Sequence, residues 1–115
     1  MKPEDRDLAL LWDMRRYASQ AHDLVRRIAF ERLDDDPMRK LALERALEVL
    51  GEAARRVSPE FQGRHAQIDW RALVGQRNVL AHDYGKISHR RLYDTARRIV
   101  PLLLAELDRI LGDEE

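Results

Sequence analysis

The chain has 115 residues, the usual size of a single domain, and its 21 basic residues balance 21 acidic ones. This balance argues against a protein that coats nucleic acid non-specifically, although it is compatible with a local basic cleft. The absence of cysteine excludes disulfides and thiolate metal sites, and no apolar run reaches the roughly 20 residues that span a bilayer. The charged N-terminal segment does not resemble a signal peptide. We therefore expect a soluble, cytoplasmic protein with one domain over residues 1–115.

The first predicted helix runs from about residue 5 to residue 33. Its apolar residues recur every seven positions in two series, formed by Leu11, Ala18 and Val25 and by Met14, Ala21 and Ile28. This pattern predicts a long helix packed lengthwise against another. Three aspartates and Pro37 then end the helix, and Asp36 is suited to cap the next one.

The second predicted helix runs from about residue 38 to residue 57. Its apolar residues share one face and consist of Leu43, Ala46, Leu47, Leu50, Ala54 and Val57. Gly51 lies beside this face. Because an interior glycine costs about 1 kcal/mol relative to alanine, its presence predicts a close approach of another helix. The segment that follows is a connector, in which Ser58 and Pro59 can open one helical turn.

The third and fourth helices are predicted from their caps and their apolar stripes. Asp69 can cap the third helix, which should end near Gly85 as its C′ residue. Ser88 can cap the fourth helix, and Pro101 should kink it. The apolar stripe of the fourth helix consists of Leu92, Ala96, Ile99, Val100, Leu103, Leu107 and Ile110. No segment alternates with period two, so the sequence predicts an all-α antiparallel bundle of four main helices. Self-association through a two-fold axis would cover an apolar strip that so small a bundle leaves open.

The end of the third helix carries an unusual set of side chains. The helical spacing of its inward residues, Trp70, Leu73 and Val74, leads on to Arg77, Ala81 and Tyr84. A charge without a partner is costly to bury, so we expect this face to line a site and not a sealed core. His82 follows Arg77 by five residues, which places it about 140° further around the helix. The two side chains can come together if the helix loosens near His82, or if a second subunit contributes its own copies of these residues.

Such a set suits phosphoryl transfer on an RNA backbone. The histidine, His82, titrates near neutrality and can take or give a proton, and Arg77 can hold a phosphate bidentately. The 2′-hydroxyl of RNA is a built-in nucleophile, so neither a metal nor another cofactor is required. A two-fold axis would supply two histidines, one as base and one as acid. Asn78 can orient the loop or the substrate, and Asp83 can orient an imidazole or simply cap the helix.

Structural interpretations of the same residues stay open. A histidine near a helix C-terminus often stabilises the helix end, which is one role for His82. Arg77 can pair with a core glutamate such as Glu48 or Glu52. Tyr84 can be a core aromatic residue with a solvated hydroxyl. A metal site is a further alternative, formed by His82, Asp83 and His89.

Three stretches of the chain resemble the HepT-like ribonucleases of the HEPN superfamily. RNVLAHDY at residues 77–84 resembles the R-x4-H-x-Y signature of that family. ALERALEVLGEAARRVSPEF resembles its second-helix block, and IDWRALVGQRNVLAHDYGKIS resembles the segment that leads into the signature. The resemblance covers nearly the whole chain. Ser88 and Tyr93 depart from it, since they stand where the family often has Asp and Trp.

The resemblance implies an all-helical homodimer whose motif lines a cleft at the dimer interface. It also implies a metal-independent endoribonuclease that acts on RNA such as tRNA or mRNA, as the toxin of a toxin–antitoxin pair. The implied antitoxin is a minimal nucleotidyltransferase of the MntA type, which silences the toxin by adding AMP to the motif tyrosine. By position, Arg77 and His82 would be catalytic, Tyr84 the acceptor of AMP, and Asn78 and Asp83 supporting residues.

Two other function classes remain as alternatives. A HEPN-like dimer can act as a non-catalytic module that binds a nucleotidyltransferase or a nucleotide, and the zero net charge favours this class. A purely structural helical dimer is the second alternative, and an inward-facing Arg77 argues against it. Substitution of His82 by alanine separates the toxin from the binding module, because only the toxin should lose RNA cleavage.

Overall fold

The computed structural model describes residues 2–113, which form an all-α bundle without strands over that range. The elements in chain order are α1 (Pro3–Val25), α2 (Phe30–Asp34), α3 (Pro37–Arg56), α4 (Pro59–Arg64), α5 (Trp70–His82), a 3-10 turn (Tyr84–Lys86), α6 (His89–Asp94), a π-turn (Thr95–Ile99) and α7 (Val100–Asp113). The last three helical elements run on as one continuous helix. The predicted bundle of four main helices is therefore confirmed, with α2 and α4 as short additions.

The four predicted N-caps are all present. Asp36, Ser58, Asp69 and Ser88 each accept a hydrogen bond from the backbone N–H three residues further on. Each cap satisfies one of the N–H groups that a helix start leaves without an intrahelical partner. The starts of α3, α4, α5 and α6 are thus decided by local sequence. Within residues 2–113 no helix combines the length and the apolar character needed to cross a membrane.

The first helix is shorter than predicted, because it ends at Val25 and α2 starts only at Phe30. A contact with the distant fourth helix explains the break. The carbonyl oxygen of Ile28 accepts hydrogen bonds from the Tyr93 hydroxyl at 2.6 Å and from Arg97 Nη1 at 3.0 Å. Before the break, the predicted seam of α1 is confirmed by its fully buried members Leu11, Met14, Ala18, Ala21 and Val25.

The α3 helix forms the centre of the molecule, packed against both α1 and α5. All six residues of its predicted inner face are buried. Gly51 allows the close approach of α5, as its position in the sequence predicts. A Cβ atom there would lie 2.6 Å from the carbonyl oxygen of Leu73 and would collide with the Cβ atom of Arg77. The backbone of α5 therefore rests directly on the backbone of α3.

The fourth helix is irregular immediately before Pro101. The N–H of Val100 bonds to the carbonyl of Thr95, five residues earlier, which defines the π-turn. In this register the carbonyl of Ala96 would pair with residue 101, but proline has no N–H. The Nδ1 atom of His22 donates to that carbonyl instead, at 3.1 Å. His22 is thus a structural residue that joins α1 to the irregular turn.

The third main helix ends one residue earlier than a C′ residue at Gly85 implies. Asp83 leaves the helical conformation, with φ −136° and ψ 51°, so that α5 stops at His82. The prediction that Gly85 is a left-handed C′ residue is wrong, because no glycine in the described range has a positive φ. The chain continues instead into the 3-10 turn, closed by a hydrogen bond of 2.8 Å from Lys86 N–H to the carbonyl of Asp83.

Candidate functional site

Arg77 lies on the side of α5 that faces α3, and its side chain is 21% exposed. Its aliphatic stem packs on Gly51. Its Nε atom is buried and lies 3.4 Å from Glu52 Oε1, without the alignment of a hydrogen bond. Its Nη1 atom donates to Asn78 Oδ1 at 3.0 Å. The interpretation that Arg77 pairs with a glutamate of α3 is thus confirmed for Glu52, whereas Glu48 pairs with Arg45.

Glu52 is the anionic partner that holds two arginines of the site in place. Arg55 donates to it twice, through Nε at 2.8 Å and Nη2 at 3.0 Å. These hydrogen bonds lower the pKa of the Glu52 carboxyl, and the charges of Arg55, Arg77 and Arg56 lower it further. The carboxylate therefore stays ionised at neutral pH beside Arg77. It lies beside the Nε atom of the guanidinium group and does not occupy the outer nitrogens, of which Nη1 donates to Asn78.

His82 is the last residue of α5, and its side chain is exposed. Within residues 2–113 its imidazole has no hydrogen bond or ion pair. Because the helix is regular through His82, Arg77 and His82 of one chain project about 140° apart. The loosening that would bring them together within one chain begins only at Asp83. The Asp83 carboxylate pairs with Lys86 at 3.4 Å and not with the imidazole, and the residue serves as the C-cap.

Tyr84 does not continue the face that carries Arg77, because α5 has already ended. The alternative interpretation of Tyr84 as a core aromatic residue is wrong, since the residue is 62% exposed. Hydrogen bonding to Glu44 on α3 and the negative charge of that carboxylate raise the pKa of the Tyr84 hydroxyl, and partial desolvation adds to the effect. The ring is accessible to solvent.

Glu44 on α3 pairs with a histidine on α6. The residue is only 8% exposed, and its Oε2 atom accepts a hydrogen bond of 2.7 Å from Nε2 of His89 on α6. The proposed metal site that includes His89 finds no support, because in the described part of the chain no cluster of His, Asp and Glu is arranged to hold a metal ion. Sequence reasoning missed Glu44 and considered His89 only as a metal ligand. The available signal was the four-residue spacing of Glu44, Glu48 and Glu52 on α3.

The opposite side of α5 borders an open groove. This groove has a volume of about 590 Å³, lies between α5 and the fourth helix, and is mostly apolar. Among its lining residues are Leu73, Gly75, Val79, Ile87, Leu92, Ile99 and Leu103. Gly75, Val79 and His82 follow each other at spacings of four and three, so they form one stripe along the helix. His82 therefore stands at the end of a stripe whose first two members line the groove.

Comparison with known proteins gives a consistent result. Residues 14–110 match the model of the family described as Ribonuclease HepT-like. Putative RNase TTE0752 of Caldanaerobacter subterraneus subsp. tengcongensis is 32% identical over 91 residues, which is 79% of this chain and 81% of that protein. Probable ribonuclease HepT of Thermococcus cleftensis is 31% identical over 88 residues, or 76% and 80% of the two chains. No solved structure matches the chain.

Proposed function

Because the chain belongs to the HepT-like ribonuclease family, we propose that it is a metal-independent endoribonuclease and the toxin of a toxin–antitoxin pair. One observation carries the proposal. The end of α5 combines an arginine whose stem is fixed by the fold with an exposed histidine that has no partner within residues 2–113. A purely structural helix end has no need of this combination. Arg77 and His82 are the catalytic residues of the proposal, with Asn78 and Asp83 in support.

The proposed reaction uses the 2′-hydroxyl of the RNA itself. This hydroxyl attacks the adjacent phosphorus, one His82 takes its proton, and the bond from phosphorus to the 5′-oxygen breaks. A second His82 gives a proton to the departing 5′-oxygen. Arg77 stabilises the charge that grows on the phosphate oxygens in the transition state.

Arg77 is prepared for this role before any RNA binds. Its stem is held against Gly51, and its Nε atom is held near Glu52. Only Nη1 is engaged, by Asn78, so outer N–H groups are free to meet a phosphate. A guanidinium that is already fixed loses little conformational entropy when it binds, which favours catalysis by positioning.

The groove beside α5 supports a homodimer. A regular helix separates Arg77 and His82 of one chain, so a second chain is needed to bring a histidine close to each arginine and to supply two histidines per site. An apolar groove of about 590 Å³, with Ile99 exposed at its wall, is a surface that a second copy can cover. Docking there would place His82 at the rim of the interface.

Silencing is proposed to occur by addition of AMP to Tyr84 by a nucleotidyltransferase of the MntA type. The exposure of the Tyr84 ring supports this step, because another enzyme must reach it. The attached phosphate and base would compete with RNA for Arg77 by charge and for the cleft by bulk. If protein that carries AMP on Tyr84 cut RNA as fast as the unmodified protein, this part of the proposal would be wrong.

The test is a cleavage assay on bulk RNA and on tRNA in the presence of EDTA. It compares the wild type with Arg77→Ala, His82→Ala and the control Arg71→Ala, each checked by circular dichroism. Arg71 is a suitable control because it is exposed on the same helix and its side chain makes no hydrogen bond, ion pair or ring contact within the described range. We expect the wild type and Arg71→Ala to cut RNA and the other two to lose at least about 100-fold in rate. Equal cleavage by all four proteins would overturn the assignment.

A non-catalytic module that binds a nucleotidyltransferase or a nucleotide is the second candidate. The observation that favours it is the absence of net positive charge, together with the acidic residues Glu44, Glu48 and Glu52 of α3 on the side of the motif. In this case no protein in the assay cuts RNA. His82→Ala should then bind the nucleotidyltransferase as tightly as the wild type does.

A further inference from the structure

We propose that Arg91 and Arg98 bind backbone phosphates of the RNA that flank the cleaved bond. The inference deepens the proposed ribonuclease function and rests on it. It places part of the substrate-binding surface on the helix that follows the motif, at residues that the R-x4-H-x-Y signature does not include. The proposed role is binding alone, because the proton transfers of the reaction already have their groups.

Positive charge is concentrated in the segment that follows the motif. Residues 86–98 contain five basic residues and one acidic residue, although the chain as a whole carries no net charge. The even balance over the whole chain therefore conceals a strongly basic segment. A local excess of positive charge attracts a polyanion such as RNA even where the net charge of the protein is zero.

The four arginines of this segment fall into two pairs. Arg97 Nη1 donates to the backbone carbonyl at the break between α1 and α2 at 3.0 Å, and Arg90 pairs with Asp94 at 3.5 Å. Arg91 and Arg98 are exposed, and in the part of the chain that the structure describes their side chains make no hydrogen bond or ion pair. The fold therefore uses Arg90 and Arg97 and leaves the donors of Arg91 and Arg98 available to a ligand.

The two available arginines line the same open recess, which has a volume of about 380 Å³ and whose wall also includes Ser88 and Thr95. Arg91 and Arg98 are seven positions apart, which corresponds to about 10 Å along a helix. At this separation their guanidinium groups can bind two different phosphates of one strand. Arginine suits this task because its planar group binds a phosphate bidentately.

The recess lies beside the groove that borders α5. Arg91 lines both the recess and the groove, whereas Arg98 lines the recess but not the groove. Only residues 83–88 separate His82 from the start of α6, and Lys86 in this connection is a further exposed cation at the wall of the groove. An RNA strand that passes His82 can therefore continue over the two arginines.

The first experiment measures RNA binding by fluorescence anisotropy. Its probe is a labelled single-stranded 2′-O-methyl RNA, which lacks the 2′-hydroxyl nucleophile and so stays intact. The wild type is compared with the double variant Arg91→Ala/Arg98→Ala. The control is the double variant Arg6→Ala/Arg71→Ala, which also removes two positive charges. Both control arginines are exposed and make no side-chain hydrogen bond or ion pair within the described range.

We expect the dissociation constant for RNA to rise about 10-fold in Arg91→Ala/Arg98→Ala and to stay within about twofold of the wild type in the control. The dependence of log affinity on log salt concentration should also weaken. Its slope should fall by about 1.4, because each phosphate contact to a single strand contributes about 0.7. Circular dichroism checks the fold of each variant.

Two failures are possible, and they are distinguishable. If Arg91→Ala/Arg98→Ala binds RNA as the control does, the proposal is overturned, although a wild type that cuts RNA would still be a ribonuclease. If the wild type neither binds nor cuts RNA, the proposed function fails and the inference falls with it.

Cleavage kinetics on unmodified RNA give a second readout. Contacts to flanking phosphates form equally in the ground state and the transition state, so the loss of Arg91 and Arg98 should raise KM about 10-fold and leave kcat within about twofold. A fall in kcat at an unchanged KM would place the two arginines in the chemical step and overturn the proposal.

The alternative occupant of this surface is a protein. Sedimentation velocity measures self-association of the variants, and a binding assay with the MntA-type nucleotidyltransferase measures their affinity for that partner. If Arg91→Ala/Arg98→Ala lost either interaction while its affinity for RNA stayed unchanged, the surface would belong to a protein partner, and the proposal would be overturned.

Discussion

The two sides of α5 differ in how completely they are packed. On the side of α3, Gly51 lets the two backbones touch, and Glu52 pairs with Arg77. On the side of the fourth helix, the same α5 borders an open apolar groove of about 590 Å³. One helix thus carries a tightly packed face and an unpartnered face.

The proposed site requires side chains held in position and room for a second chain, and the two sides of α5 meet these requirements separately. The packed side fixes the guanidinium group of Arg77, because rigid neighbours hold side chains in one geometry. The open side carries His82 at the end of its stripe and leaves room for a second chain. We infer that the packed face provides positioning and the groove provides assembly. Substitutions on each side should therefore have different consequences.

The largest expected effect is on assembly. Ile99 lines the groove and is 57% exposed, so Ile99→Glu should change the free energy of unfolding by no more than about 0.5 kcal/mol. In a dimer that covers the groove the new carboxylate would lack a partner, and the dissociation constant should rise by about 100-fold. Sedimentation velocity measures this change. Leu41→Glu is the control, because Leu41 is 54% exposed on α3 and does not line the groove. A change of equal size in both variants would exclude the groove as the dimer surface.

Breaking the packed side should cost stability. In Gly51→Ala the new Cβ atom meets the carbonyl of Leu73, which cannot move aside, so we expect the free energy of unfolding in urea to fall by about 2 kcal/mol. Gly75→Ala is the matched control on the open side. Nothing lies within 4 Å of a Cβ atom at position 75, and the substitution should stabilise α5 by about 0.5–1 kcal/mol. Equal stability of the two variants would show that the helices are not in close contact.

A conservative change at the fixed cation should reduce RNA cleavage without unfolding the protein. Arg77→Lys keeps the charge beside Glu52 but removes the planar fork that binds a phosphate bidentately. We expect the rate constant kcat/KM for RNA to fall by about 10-fold, with an unchanged melting temperature. Arg71→Lys, on the exposed surface of the same helix, should cut RNA at the wild-type rate. Full activity of Arg77→Lys would show that Arg77 contributes only its positive charge and not the planar geometry of its guanidinium group.

The smallest expected effect concerns acid stability. The pKa of the Glu52 carboxyl is lower in the folded protein than its ordinary value of 4.5, mainly because of its hydrogen bonds from Arg55. The folded state then binds fewer protons than the unfolded state near this pH, so the stabilisation is present above pH 4.5 and is lost as the pH falls through the lowered pKa. Glu52→Gln should therefore lose less stability than the wild type between neutral pH and roughly pH 3.5. Urea midpoints at the two pH values measure this difference. If Glu52→Gln lost as much stability as the wild type over this pH range, the ionised Glu52 carboxylate would not be a source of that stability.

Much of the helical scaffold could be predicted from the sequence, whereas less of the candidate site could be. Gly51 predicted the close approach of another helix, and Glu52 was one of two glutamates proposed as partners of Arg77. Tyr84 was misplaced because the spacing of three and four residues was extended beyond His82, where the helix has already ended. The pairing of Glu44 with His89 went unnoticed because the two residues lie 45 positions apart in the chain, and only the fold brings Glu44 Oε2 and His89 Nε2 to 2.7 Å.

The sequence by itself determined the starts of α3 to α6 and the buried face of α3. These features depend on local hydrogen bonds at Asp36, Ser58, Asp69 and Ser88 and on the periodicity of apolar residues, which a single segment contains in full. Tertiary structure decided the break after Val25, where distant side chains bind the carbonyl of Ile28. It also decided the pairing of Glu44 with His89, because hydrogen bonds between segments become available only once the helices have packed.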